Sequence, residues 1–98
     1  IHYAAAKGAV VTMTLGVARE FADRGIRCLS LSPGPVKTAF QEAANTSPEL
    51  MERFRNDVPM KRFAEPEEIG ELVLFMCSDA CEYMTADTVY VNGGGGWR

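Results

Sequence analysis

The chain has 98 residues, of which 47% are hydrophobic and 23% are charged, and its formal net charge is -3 at pH 7. These values are ordinary for a soluble globular protein and leave room for at most one domain. The acidic balance, without any cluster of lysine or arginine, argues against a nucleic-acid partner. No apolar run approaches the roughly 18 residues of a membrane span, so we expect no membrane partner.

The cysteines and the histidine offer no metal site. Cys28, Cys77 and Cys81 are an odd number without a disulfide framework, which indicates a reducing compartment, and we therefore expect a cytoplasmic protein. Cys77 and Cys81 share a helical spacing, but the chain has no second pair of ligands, and His2 is its only histidine. The sequence therefore predicts no metal.

Near the start of the chain, Tyr3 and Lys7 stand four residues apart with three alanines between them. Residues at this spacing project from the same face of an α-helix, and alanine favours the helix. An ammonium group held close to a phenol stabilises the phenolate, so the pair is suited to proton transfer if it lies in a pocket. The same spacing also occurs by chance on surface helices, and the hypothesis needs support from the rest of the chain.

Apolar periodicity and the positions of glycine and proline predict alternating helices and strands. The predicted elements are a helix over 2–24 ended by Gly25, a buried strand over 26–32, helical segments within 39–60 that include a short helix over 41–44 and a second helix begun by Ser47 and Pro48, a helix over 65–78, and a strand over 88–91. Because a long helix leads directly into the first strand, we expect the two strands to be parallel.

Two of these helices are expected to be buried. The first has an apolar surface broader than one stripe, which suits packing on both sides. The helix over 65–78 is expected to bury Ile69, Leu72, Val73, Phe75 and Met76. Two parallel strands and about three main helices cannot cover both faces of a doubly wound sheet, so we expect further strands from upstream sequence or another chain.

The segment Pro33-Gly34-Pro35 stops the first strand abruptly, and Val36-Lys37-Thr38 follows it. Open α/β sheets bind their ligands at the carboxyl ends of the strands, so this loop is a candidate binding site. The insert that follows carries apolar residues and is either a lid over a pocket or a surface helical hairpin. The apolar residues in question are Phe40, Met51, Phe54 and Met60.

An ordered set of short motifs runs along the chain. The motifs are Tyr3-x-x-x-Lys7, Ser32-Pro33-Gly34-Pro35-Val36-Lys37-Thr38, Arg62-x-x-Glu65-Pro66-Glu67-Glu68-Ile69, Phe75-x-x-Ser78-Asp79, Thr85-Ala86 and Val91-Asn92-Gly93-Gly94. Together they resemble the C-terminal part of a classical short-chain dehydrogenase/reductase. The resemblance implies an α/β fold, namely the C-terminal part of a Rossmann-like doubly wound parallel sheet. It also implies that residues 1–98 are one portion of a single oxidoreductase domain, without its N-terminal dinucleotide-binding half.

The resemblance further implies an enzyme that binds NAD or NADP and interconverts a small-molecule alcohol and a carbonyl by hydride transfer. Tyr3 would be the catalytic acid/base, and Lys7 would tune it and contact the nicotinamide ribose. Pro33, Gly34, Val36 and Thr38 would line the nicotinamide, Val36 through its backbone and Thr38 through its hydroxyl group. Family members assemble as dimers or tetramers through these helices and the final strand, so a homodimer or homotetramer is expected.

The chain also departs from the family pattern. The Gly-x-x-x-Gly-x-Gly phosphate loop, the catalytic serine and the catalytic asparagine are absent, Ala86 replaces a usual glycine, and Asn92 replaces a usual aspartate. No helix or Gly-Lys-Ser/Thr follows the run Gly93 to Gly96, which is therefore interpreted as a close-packed strand exit. Two alternatives stay open: a non-catalytic truncated fragment, which should not turn over alone, and a same-fold epimerase, dehydratase or dehalogenase.

Overall fold

The computed structural model describes residues 1–37 and 47–96. Its helices and strands are α1 (His2–Phe21), β1 (Leu29–Pro33), α2 (Pro48–Asp57), α3 (Pro66–Met76) and β2 (Asp87–Val91), with 3-10 turns at Ala22–Arg24 and Asp79–Cys81. The strands β1 and β2 pair in a parallel two-stranded sheet, and the crossover between them carries α2 and α3. The predicted α/β class is thus confirmed.

The chain divides into two compact units. The first comprises Ile1–Ser32 and Met76–Val89, and the second comprises Pro33–Phe75 and Tyr90–Arg98. Among the described residues of the first unit, the buried side chains are Thr14, Ala18, Met76 and Cys81; those of the second are Val58 and Phe63. The described part of each unit therefore has only a small core.

The first helix ends close to where the sequence predicts. Beyond Phe21 the chain tightens into the 3-10 turn, and Gly25 adopts a left-handed conformation with φ 74°. The Gly25 N–H donates to the Ala22 carbonyl at 3.1 Å, which closes the turn. A residue without a Cβ takes this conformation at little cost, so the predicted role of Gly25 as helix terminator is confirmed.

The predicted burial of the helices is wrong for most of their apolar residues. In α1 only Thr14 and Ala18 are buried, whereas Met13 is 62% exposed. In α3, of the residues predicted to be buried, only Met76 is, and Phe75 is 51% exposed. The physical reason is area: among the described residues, a two-stranded sheet offers too little surface to cover broad apolar faces.

The first strand begins three residues later than predicted and is half-buried rather than buried. Before it, Cys28 is held by a turn: its N–H donates to the Thr85 hydroxyl oxygen at 3.0 Å, and its carbonyl accepts from the Ala86 N–H at 2.9 Å. One bond to a side chain and one bond to the backbone thus hold Cys28 before the strand begins. Ala86, which stands where the family usually has glycine, adopts a φ of 60°.

The helix α2 begins as predicted. Ser47 is its N-cap, and the Ser47 Oγ accepts from the Leu50 N–H at 3.2 Å, with Pro48 at the first helical position. Phe54 on this helix is 46% exposed. The predicted short helix over 41–44, Phe40 and Trp97 lie outside the described residues.

The glycine run after β2 is packed closely, as the sequence predicts. Gly93 and Gly94 have φ values of 63° and 93°. A Cβ added at Gly93 would lie 2.7 Å from Val58 Cγ1, and one added at Gly94 would lie 3.2 Å from Pro59 Cβ. Both the backbone conformation and the lack of space therefore require glycine at Gly93.

Candidate functional site

Tyr3 and Lys7 lie together on the first turns of α1, as their spacing predicts. The Ala5 N–H donates to the Ile1 carbonyl at 2.9 Å, so regular helical bonding starts at the first residue. The Lys7 Nζ lies 5.5 Å from the centroid of the Tyr3 ring, within the range of a cation–π contact. Tyr3 is 70% exposed, so its phenol can both donate to and accept from a bound molecule.

The loop that follows β1 approaches the end of β2 very closely at Gly34. The Gly34 N–H donates to the Val91 carbonyl at 3.0 Å. A Cβ at Gly34 would lie 2.9 Å from the Asn92 Cα, closer than such atoms come in proteins. Glycine at this position is therefore required by the close passage of the two backbones.

Val36 is held in place by the backbone on either side of it. It forms an isolated parallel bridge with Ala64, in which the Ala64 N–H donates to the Pro35 carbonyl and the Lys37 N–H donates to the Ala64 carbonyl, both at 3.0 Å. In such a bridge the residue between the two bonded groups directs its own N–H and C=O away from the partner. The backbone polar groups of Val36 thus point away from Ala64. Thr38, the last predicted residue of this set, lies outside the described residues.

The start of α3 carries a charged cluster beside Ala64. Arg62 binds Glu68 through two bonds, Nη1 to Oε1 at 2.7 Å and Nη2 to Oε2 at 3.1 Å. The Glu68 Oε1 also accepts from the Glu65 N–H at 2.9 Å, which caps the helix. The hydrogen bonds from Arg62, followed by that from the Glu65 backbone, lower the pKa of Glu68 to about 2. The carboxylate in turn raises the pKa of Arg62.

A second ion pair joins the loop after β1 to the same segment. The Lys37 Nζ lies 2.6 Å from the Glu65 Oε1, with both side chains about half exposed. Sequence reasoning recognised the helix start at Glu65-Pro66 but missed its attachment to residues 35–37. The detectable part of the signal was the spacing of Glu65 and Glu68, because a glutamate three residues beyond a helix cap commonly bonds back to it.

Within residues 1–37 and 47–96, no cluster of three or more histidine, cysteine, aspartate or glutamate side chains is arranged to hold a metal ion. In the same part of the chain, no helix is long and apolar enough to cross a membrane.

Comparison with known proteins identifies the family to which this chain belongs. The family model described as "Enoyl-(Acyl carrier protein) reductase" matches residues 1–95, and the chain belongs to the short-chain dehydrogenase/reductase family. Over 94 residues it is 32% identical to the 3-oxoacyl-[acyl-carrier-protein] reductase FabG of Aquifex aeolicus (strain VF5), covering 96% of this chain and 37% of that protein. It is 41% identical over 92 residues to the galactitol 2-dehydrogenase (L-tagatose-forming) of Cereibacter sphaeroides, covering 94% and 36%.

A solved structure supports the fold. The structure of 4-hydroxyisoleucine dehydrogenase complexed with NADH superposes with a TM-score of 0.86 at 27% identity, covering 94% of this chain and 38% of that one. Its Rossmann fold agrees with the predicted fold class. The chain thus spans somewhat more than a third of the length of these relatives.

Proposed function

We propose that the protein containing this chain is an NAD(P)-dependent oxidoreductase that interconverts an alcohol and a carbonyl by hydride transfer. Tyr3 is the acid/base in this proposal, and Lys7 tunes it. Membership of an oxidoreductase family and the NADH bound to the 4-hydroxyisoleucine dehydrogenase support the reaction class. The observation that carries the proposal is an exposed phenol with an ammonium group one helical turn away.

The polar groups of the pair fit a nicotinamide cofactor and its substrate. The cofactor, when bound, supplies or accepts the hydride. The Tyr3 hydroxyl donates its proton to the carbonyl oxygen during reduction and takes a proton from the alcohol during oxidation. The Lys7 ammonium has three donors and no acceptor, so it favours the phenolate that remains and can also bond a ribose hydroxyl.

A second set of residues is proposed to contact the cofactor, on separate grounds. The backbone N–H and C=O of Val36, which point away from Ala64, complement the amide group of the nicotinamide. Pro33 and Gly34 form the bare backbone before it, and Thr38 is proposed to contribute its hydroxyl group. These assignments rest on the family resemblance together with the bonding of residues 35–37.

The proposal includes the setting of the enzyme. We place the chain in the C-terminal portion of a single Rossmann-like domain, in a cytoplasmic homodimer or homotetramer. The exposed apolar side chains of α1 and α3, such as Met13 and Leu74, support covering by further protein surface. The relatives include an acyl-carrier-protein reductase and a sugar-alcohol dehydrogenase, so the substrate is proposed only as a small alcohol or carbonyl.

The test uses the natural full-length protein. Purified protein is mixed with NAD+ or NADP+ and a panel of alcohols, and with NADH or NADPH and a panel of carbonyls, while the absorbance of the reduced cofactor is followed. Stoichiometric change in the cofactor with product formation is expected. Product formation without net cofactor change would favour an epimerase, dehydratase or dehalogenase, and failure to bind any nicotinamide cofactor would favour a non-catalytic protein.

A further inference from the structure

The residues that flank Val36 are bonded to a short segment before α3. We call residues 35–37 the Val36 loop and residues 62–65 the preceding segment. Ala64 in that segment exchanges two backbone hydrogen bonds with the Val36 loop, and Glu65 adds the ion pair with Lys37. The position of the Val36 loop therefore depends on where the preceding segment is held.

The preceding segment is itself fixed at both ends by one carboxylate. Glu68 takes the Arg62 guanidinium through both of its oxygens and takes the Glu65 N–H through Oε1. The bonds therefore enclose Ala64 between two residues anchored on the first turn of α3. Because the pKa of Glu68 is lowered to about 2, the carboxylate stays ionised at any pH used for an assay.

We infer that Arg62 and Glu68 are positioning residues: their bidentate pair holds Ala64, and through it the Val36 loop, in the geometry that receives the nicotinamide. This inference rests on the proposed function. Arginine is specifically suited, because its planar guanidinium can bind both carboxylate oxygens at once, whereas a lysine ammonium acts as a single point. Neither side chain is placed in contact with the reacting atoms.

The hydrogen bond at Gly34 allows the positioning role of Arg62 and Glu68 to be distinguished from a general effect on stability. Gly34 is bonded to Val91 at the end of β2, and none of its bonds passes through Arg62 or Glu68. Breaking the ion pair should therefore loosen the far side of the loop and leave the Gly34 side in place. The expected consequence is weaker cofactor binding without a matching loss in the rate of the bound enzyme.

The first experiment compares variants of the natural full-length protein by steady-state kinetics. Arg62→Met should raise the KM for NADH or NADPH about threefold to fivefold while kcat changes less than about twofold, a size that suits an exposed charged pair. The KM of Arg62→Lys should lie between that of the wild type and that of Arg62→Met. Arg53→Met is the matched control, because Arg53 is exposed on α2 and lies outside this bonding chain.

Two substitutions at Glu68 separate its charge from its capping role. Glu68→Gln keeps an acceptor for the Glu65 N–H and removes the charge, so it should cause only part of the KM increase. Glu68→Ala removes both the charge and the acceptor, and it should raise the KM at least as much as Arg62→Met does. Equal KM values for the glutamine and alanine variants and the wild type would contradict the inference.

The second experiment needs no cofactor. Hydrogen exchange followed residue by residue should show the amides of Lys37 and Ala64 exchanging at least about threefold faster in Arg62→Met, with the Gly34 amide unchanged. A lower melting temperature with unchanged exchange at Lys37 and Ala64 and unchanged KM would overturn the inference and leave the proposed function standing. A wild-type protein that binds no nicotinamide cofactor would overturn both.

Discussion

The Tyr3–Lys7 pair and the Val36 loop are built in opposite ways. The pair consists of two side chains on one helix, brought together by a spacing of four residues. In the Val36 loop the groups of interest are the backbone N–H and C=O of Val36. The contacts that hold this loop come from residues 28 positions later in the chain, as in the bond from Lys37 to Glu65. Local sequence alone can thus bring two side chains together, whereas the placement of the Val36 loop backbone depends on distant residues.

The largest expected effect tests the side-chain half of this comparison. In the natural full-length protein, Tyr3→Phe removes the phenolic proton, so kcat should fall by about 10²- to 10⁴-fold, the usual contribution of a general acid/base. Affinity for NADH or NADPH, measured by cofactor fluorescence, should change little. The substitution leaves the ring beside Lys7 and adds no volume.

Tyr83→Phe is the matched control for that substitution. Tyr83 is fully exposed in the same unit and loses only a hydroxyl group. Its turnover should remain at the wild-type level. If Tyr3→Phe also kept wild-type turnover, Tyr3 could not be the acid/base.

A smaller loss of kcat is expected from Lys7→Met, which keeps a long unbranched side chain and removes the charge. The Lys7 Nζ lies 5.5 Å from the centroid of the Tyr3 ring, and in the proposed reaction its charge balances the one that Tyr3 gains on giving up its proton, so kcat should fall by about 10- to 100-fold. The KM for the reduced cofactor should rise as well, because the donor that we propose for the ribose is lost. A change confined to the melting temperature, with both kinetic constants intact, would contradict the proposed role.

The backbone half of the comparison is tested at Gly34. Gly34→Ala would place a methyl group 2.9 Å from the Asn92 Cα, where backbone rather than a flexible side chain must move. Overpacking of this kind should lower the free energy of unfolding by about 1–3 kcal/mol in urea denaturation. It should also weaken cofactor binding, because Gly34 precedes the Val36 loop.

Gly16→Ala on α1 is the control for Gly34→Ala. Among the described residues, nothing lies within 4 Å of a Cβ added at Gly16, and the helix interior favours alanine. The free energy of unfolding should therefore rise by about 0.5–1 kcal/mol. Similar destabilisation by both substitutions would mean that the close approach at Gly34 is unimportant.

A stabilising change is expected at Ala86. Its φ of 60° costs a non-glycine residue about 1–2 kcal/mol, and glycine would remove that cost while adding about 0.4–1 kcal/mol of freedom to the unfolded chain. Ala86→Gly should thus raise the free energy of unfolding by about 0.5–1 kcal/mol in urea denaturation. A decrease would show that the turn at Thr85 and Ala86 tolerates alanine without strain.

The sequence predicts the local features well. Gly25 as helix terminator, Ser47 as N-cap and the spacing of Tyr3 and Lys7 each depend on residues within one or two turns, and each appears in the structure. The alignment of Ala64 with Val36 could not be predicted, because no periodicity marks an isolated bridge between distant residues.

The sequence pattern also could not predict which apolar residues of the helices are buried. An apolar arc on a helix shows which side prefers to be covered, but not whether a covering surface is within the same chain. Val73 on α3 is apolar and 44% exposed for this reason. The roles of Tyr3 and Lys7 stay predictions, since their proximity on a helix does not by itself establish proton transfer.

The smallest expected effect concerns the charge that anchors the preceding segment. The pKa of Glu68 is lowered to about 2 from an ordinary value of 4.5. The ionised carboxylate therefore stabilises the folded state fully at pH values above 4.5, and this contribution is lost as the pH falls through about 2. Carbon-13 NMR of the side-chain carboxyl should give a midpoint near 2 in the wild type. In Arg62→Met the midpoint should move up toward the ordinary value, because the bond from Arg62 is the largest cause of the shift. An unchanged midpoint would mean that the guanidinium does not hold the carboxylate in solution, and the Val36 loop would then lack the anchor that distinguishes it from the Tyr3–Lys7 pair.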